Sequence, residues 1–136
     1  MQKLKLDELN RVNIETFKAQ EKLPIVVVLD NIRSMNNIGS IFRTADGFAV
    51  EHIYLCGITA QPPHREIEKT ALGATQSIDW TYFEHISTAI AQLKAQDYQI
   101  IAIEQAQNST MLHQFAPDRN KKYALILGNE VNGVSD

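Results

Sequence analysis

The chain has 136 residues, 44% of them hydrophobic and 21% charged, with 13 basic and 16 acidic side chains and a net charge of −3. That size and composition predict one soluble domain with its own core. The acidic balance excludes a protein that coats nucleic acid indiscriminately, although local basic patches still permit a nucleic-acid substrate. No run is long and apolar enough to span a bilayer, and no apolar leader opens the chain. Cys56 is the single cysteine, so an internal disulfide is excluded and a cytoplasmic location is expected.

Residues 1–23 predict an amphipathic helical extension, with Leu6, Leu9, Val12 and Phe17 among polar residues, Asp7 as a cap, and Pro24 as its break. Ile25–Leu29 is apolar on both faces, the pattern of a strand buried in a parallel sheet. Apolar residues at 38, 41, 42, 45, 48 and 49 then predict a helix from Ile38. His52–Cys56 reads as a second strand, followed by a loop with Pro62 and Pro63 and a short helix from Ile67 to Leu72, ended by Gly73.

Ser77–Trp80 is predicted as a strand, and Ile86, Ala89, Ile90 and Leu93 mark another helix. Ile100–Ile103 and Tyr123–Leu127 are further strands, separated by a polar loop with one helical turn near Met111–Phe115. Strands alternate with helices, so the class is α/β with a mostly parallel sheet and flanking helices. The chain closes on Val134-Ser135-Asp136, where Ser135 reads as the cap of a helix about to begin.

Ligands of such sheets sit at the carboxyl ends of the strands. Three strand ends carry chemistry: Asp30-Asn31, Glu104-Gln105 and Gly128-Asn129-Glu130. Beyond the first lies N-x-G-x-x-x-R-T-A, with Asn37 where a helix cap would sit, Gly39 in the first turn and Arg43 on an otherwise uncharged stretch. Taken singly, these are a cap, a packing glycine and a surface cation paired with Asp46 or Glu51. Gly128 follows a buried strand, where the missing side chain lets a ligand or another backbone approach. Arg33 and Arg43 flank the first motif, and His64, Arg65 and Lys69 form one basic cluster; these are the candidate RNA contacts. The four histidines are too scattered for a metal site, so no metal is expected. No P-loop, G-x-S-x-G or G-x-G-x-x-G occurs.

The pairing of N-x-G-x-x-x-R-T-A with the downstream G-x-E-x-x-G-V-S of residues 128–135 resembles the first two signature motifs of the SpoU/TrmH-type RNA ribose 2′-O-methyltransferases. The resemblance runs over about residues 23–136 and implies an α/β fold with a deep trefoil knot. It implies S-adenosylmethionine as cofactor, tRNA or rRNA as substrate, and a homodimer without a membrane segment. By motif position it makes Asn37, Arg43 and Glu130 catalytic. Ile103, Glu104, Leu127, Gly128 and Gly133 become the cofactor contacts. Residues 24–136 then form the methyltransferase domain. The family's third motif, which closes the methionine pocket and completes the knot, is not in this sequence, so the expectation is an incomplete enzyme.

Methyl transfer to a ribose 2′-hydroxyl is an in-line displacement that needs positioning and removal of a proton. A guanidinium hardly deprotonates. Arg43 is therefore expected to clamp a phosphate, with Asn37 orienting Arg43 or the ribose and Glu130 holding Asn37 and its loop. Two other readings stay open: a catalytically silent RNA-binding or dimerisation module of this fold, and a generic nucleotide-binding α/β domain.

Overall fold

The computed structural model describes residues 1–3, 14–19 and 21–135. The Asp7 cap and the Leu6, Leu9 and Val12 face lie outside the described residues. Within them the extension is helical only over α1, Ile14–Ala19. Pro24 belongs to the first strand rather than to a helix break. Strand β1 runs Leu23–Asp30, and proline is tolerated at its second position because the ladder has barely begun there.

The remaining elements are α2 (Met35–Gly47), β2 (Val50–Cys56), α3 (Arg65–Ala71), α4 (Ala74–Ser77), β3 (Trp80–Phe83), α5 (Ile86–Ala95), β4 (Tyr98–Ile103) and β5 (Lys122–Leu127). One 3-10 turn, Leu112–Gln114, interrupts the long loop before β5. The strands form one sheet in the order β3-β2-β1-β5-β4, parallel at every pairing.

The central position of β1 follows from its composition. Val26 to Asp30 are all buried, since branched apolar side chains on both faces need cover on both sides. On one face Val27 and Leu29 meet Ile38, Phe42 and Ala45 of α2 and Ile67 and Ala71 of α3. On the other, Val26 and Val28 meet Ala89 and Leu93 of α5. Each such aliphatic residue contributes about 1.5–3 kcal/mol relative to exposure.

The predicted strand Ser77–Trp80 is not formed. Ala74–Ser77 makes a helical turn, and the strand begins at Trp80. The reason lies in Ser77, whose hydroxyl lies within hydrogen-bond reach of Ala74 O (3.2 Å) and Asp46 Oδ1 (3.0 Å). Those contacts keep the residue in the turn. The tripeptide Ser77-Ile78-Asp79 alternates like a strand, but Ser77 and Ile78 are both buried and only Asp79 is exposed.

Helices α2 and α3 pack at backbone contact. A Cβ on Gly39 would stand 2.0 Å from Thr70 Oγ1 and 2.3 Å from Ile67 O. Gly39 therefore serves helix packing, and Thr70 Oγ1 closes the junction by donating to Asn36 O at 2.9 Å.

Candidate functional site

The site is assembled where the sequence motifs converge on the carboxyl ends of β1, β5 and β4. Helix α2 begins earlier than its periodicity indicated. Ser34 is the cap, its hydroxyl accepting from Asn37 N at 3.1 Å, so Asn37 is not the cap but sits inside the first turn. A serine ahead of the apolar pattern was the available signal.

Glu130 joins the two motifs. Its carboxylate accepts from Arg33 N at 2.9 Å and Ser34 N at 3.0 Å. Partial burial pushes the Glu130 carboxyl up, but the N–H groups of Arg33, Ser34 and Glu130 itself, with Asn37, outweigh it and hold the group below the usual range. Glu104 is likewise lowered, by hydrogen bonds from Val134 N and Gln105 N. A carboxylate with a depressed folded pKa contributes stability above its unfolded value, about 4.3, and loses it as pH falls through the folded value. The loop contacts should therefore persist through the ordinary carboxylate range and dissolve only below it. An NMR titration of the Arg33, Ser34 and Val134 amides measures this, and a midpoint at or above the ordinary value would contradict it.

The loop after β5 closes on itself. Asn129 and Gly133 exchange backbone hydrogen bonds of 3.0 and 2.9 Å, while Asn129 Oδ1 accepts from Val131 N and Asn132 N. A Cβ on Gly128 would lie 2.2 Å from Val134 N, so here the approaching backbone is the chain's own. Ser135 gives both its N–H and its hydroxyl to Asp30. Asn129 Nδ2 donates to Asn31 O at 2.7 Å, and Asn31 Oδ1 accepts from Ile58 N at 3.0 Å, tying three loops together. Below them Thr59, 2% exposed, accepts from Ile32 N through its hydroxyl, which also lies 2.8 Å from Cys56 O.

Ile103 and Glu104 end β4, at the exposed edge of the sheet, and Leu127 ends β5 half-buried. Between α2 and the uncovered parts of β1 and β5 runs an apolar groove of about 590 Å³, with Asn37, Gly128 and Glu130 along it and Phe48 exposed in its wall. Asn37 faces this groove. Arg43 lies six residues on, about 240° around the helix at 3.6 residues per turn. The two side chains therefore leave α2 in different directions. Arg43 is exposed and forms no ion pair among the described residues; Asp46 accepts from Ser77 and Glu51 from Tyr98.

Arg33, His64, Arg65 and Lys69 are all exposed. His64 caps α3, its Nδ1 accepting from Glu66 N at 3.1 Å. That contact occupies Nδ1 and leaves Nε2 for another partner. Among the described residues no three His, Cys, Asp or Glu side chains group as metal ligands, and no helix is long and apolar enough to cross a membrane.

Cys56 lies under the site, fully buried, and burial together with the Asp30 charge pushes its thiol up to about 12. It should stay unmodified by a thiol reagent at pH 8 until denaturant is added. Rapid labelling of the native protein, read by mass spectrometry, would contradict that placement.

The family model described as SpoU rRNA Methylase matches residues 24–136. The chain belongs to this family. A Staphylococcus saprophyticus protein named for the TrmH family of tRNA/rRNA methyltransferases is 31% identical over 118 residues, covering 87% of this chain and 46% of the relative. A tRNA/rRNA methyltransferase of Synechocystis is 29% identical over 127 residues, covering 90% of this chain and 31% of its own length. The chain thus spans half or less of these relatives. Among solved structures, the A. aeolicus TrmH/SpoU tRNA modifying enzyme superposes with a TM-score of 0.74 at 22% identity, over 90% of this chain and 60% of the other. The AdoMet-bound rRNA methyltransferase of Sinorhizobium meliloti gives 0.70 at 26%, over 94% and 48%. The α/β fold of the SpoU family and its parallel sheet are therefore established for this chain.

Proposed function

We propose that residues 24–136 carry the S-adenosylmethionine-binding and catalytic motifs of an enzyme that methylates a ribose 2′-hydroxyl of tRNA or rRNA in the cytoplasm. The observation that carries this reading is the Glu130 carboxylate bonded to Arg33 N and Ser34 N at the start of the helix that bears Asn37. It brings the second motif onto the first across 97 residues of sequence. Site and helix start then form one unit, at the strand ends where α/β sheets bind ligands.

In this reading S-adenosylmethionine supplies an electrophilic methyl group. The loop from Gly128 to Gly133, with Leu127 and the β4 end at Ile103-Glu104, holds the cofactor. Arg43 clamps an RNA phosphate beside the reacting hydroxyl, where a fork of donors orients as well as attracts. Asn37 presents its amide toward the ribose. Arg33, Arg65 and Lys69 add phosphate contacts and His64 a further hydrogen-bond donor. The divergence of Asn37 and Arg43 on α2 supports a homodimer, because one substrate meets both only where a second copy brings its own α2.

Equilibrium binding of AdoMet and of unfractionated tRNA and rRNA tests the assignment. Binding of both is expected. Removing Arg65 or Lys69 should weaken RNA binding and reduce its salt slope by about one for each phosphate that is no longer neutralised. RNA binding without any AdoMet binding would replace the enzyme by the silent RNA-binding module.

A further inference from the structure

The cofactor loop is held from both sides by carboxylates that neither signature motif contains. β5 lies between β1 and β4, and each neighbour ends in an acid. From β1, Asp30 takes Ser135: Oδ2 accepts the N–H at 2.6 Å and Oδ1 the hydroxyl at 3.1 Å. From β4, Glu104 Oε2 accepts Val134 N at 2.8 Å, while Oε1 accepts Gln105 N at 2.9 Å. Two consecutive residues are thus fixed by two strands.

The grip is built in rather than incidental. Asp30 is 1% exposed and forms no ion pair among the described residues, and a buried carboxylate is tolerated only when hydrogen-bonded. Gly133 has φ +71, and a Cβ there would stand 2.0 Å from Glu104 Oε2. The glycine of the second motif is therefore where the Glu104 carboxylate lies against the loop. The same loop residues, with Asn31 and Ile58 opposite, wall a polar cavity of about 420 Å³ at the strand ends.

We propose that Asp30 and Glu104 are positioning residues for the cofactor: they set the path of Gly133, Val134 and Ser135, and so the shape of the pocket that the loop presents. This rests on the cofactor reading above. The residues act through the loop backbone and touch no reacting atom.

The test uses the full chain with S-adenosylhomocysteine as probe, measured by calorimetry for wild type, Glu104→Ala, Glu104→Gln and Asp30→Asn. Glu104 is exposed, so Glu104→Ala should leave the protein folded, with only a small fall in melting temperature. Val134 amide exchange should quicken and the probe should bind about tenfold more weakly, the loss of one charge-assisted hydrogen bond. Glu104→Gln keeps one acceptor and should restore part of the affinity. With RNA substrate, the KM for AdoMet should rise by the same factor as the binding constant. Asp30→Asn should act in the same direction on Ser135; if it fails to fold, Glu104→Ala decides alone. Wild-type affinity in Glu104→Ala overturns the clamp. A wild-type chain that binds no probe overturns instead the cofactor reading beneath it.

Discussion

Gly39→Ala is expected to destabilise the protein by about 2–3 kcal/mol, although alanine is the better helix former by about 1 kcal/mol. The added methyl would stand 2.0 Å from Thr70 Oγ1 and 2.3 Å from Ile67 O, and the second contact is backbone, which cannot rotate away. Helices α2 and α3 must then separate, and the Thr70 to Asn36 hydrogen bond goes with them. Gly47, in the last turn of the same helix, supplies the control, because a Cβ there meets nothing within 4 Å. Gly47→Ala should be neutral or slightly stabilising. Thermal melts of the two variants decide: Gly39→Ala should lose roughly 5–10 °C and Gly47→Ala none. Equal melting temperatures would mean that the helices are not in backbone contact. The fall should carry function with it, since α2 bears Asn37 and Arg43.

Arg43→Ala is expected to lower kcat for methyl transfer by about 100-fold or more, the usual loss when one preorganised donor to developing charge is removed. AdoMet affinity and melting temperature should be unchanged, because Arg43 is exposed and forms no ion pair among the described residues. Arg43→Lys separates charge from shape. It keeps the cation but not the two-pronged fork, and should recover only part of the loss. Full turnover in Arg43→Lys would assign the residue a role as a point charge alone. Steady-state kinetics with saturating AdoMet and RNA make the comparison.

The legible parts of the fold were those with a repeating local signal. β1 was visible as an unbroken branched run, and α2 as Ile38, Phe42 and Ala45 spaced along one face. The turn at Ala74–Ser77 was not, because four residues are too few for a period and Ser77 is held by Asp46, 31 positions away. The start of α2 was misplaced for a related reason: Asn37 and Ser34 are both good caps, and only geometry shows which side chain accepts.

The site divides in the same way. Asn37, Arg43, Gly128 and Glu130 stand out as candidates through the resemblance of two short stretches to the family's motifs. What holds them could not. The bond from Asp30 to Ser135 spans 105 positions and that from Thr59 to Ile32 spans 27, and neither leaves a local pattern. The glycines leave room for neighbours that no local pattern names: Gly39 for Thr70, Gly128 for the loop backbone and Gly133 for Glu104.

The most direct measurement is transfer of labelled methyl from AdoMet to tRNA and rRNA, followed by digestion to nucleosides and mass spectrometry. The account predicts label in a 2′-O-methylated nucleoside, lost in Arg43→Ala while AdoMet binding remains. Label on a base, or transfer that survives in Arg43→Ala, would contradict it.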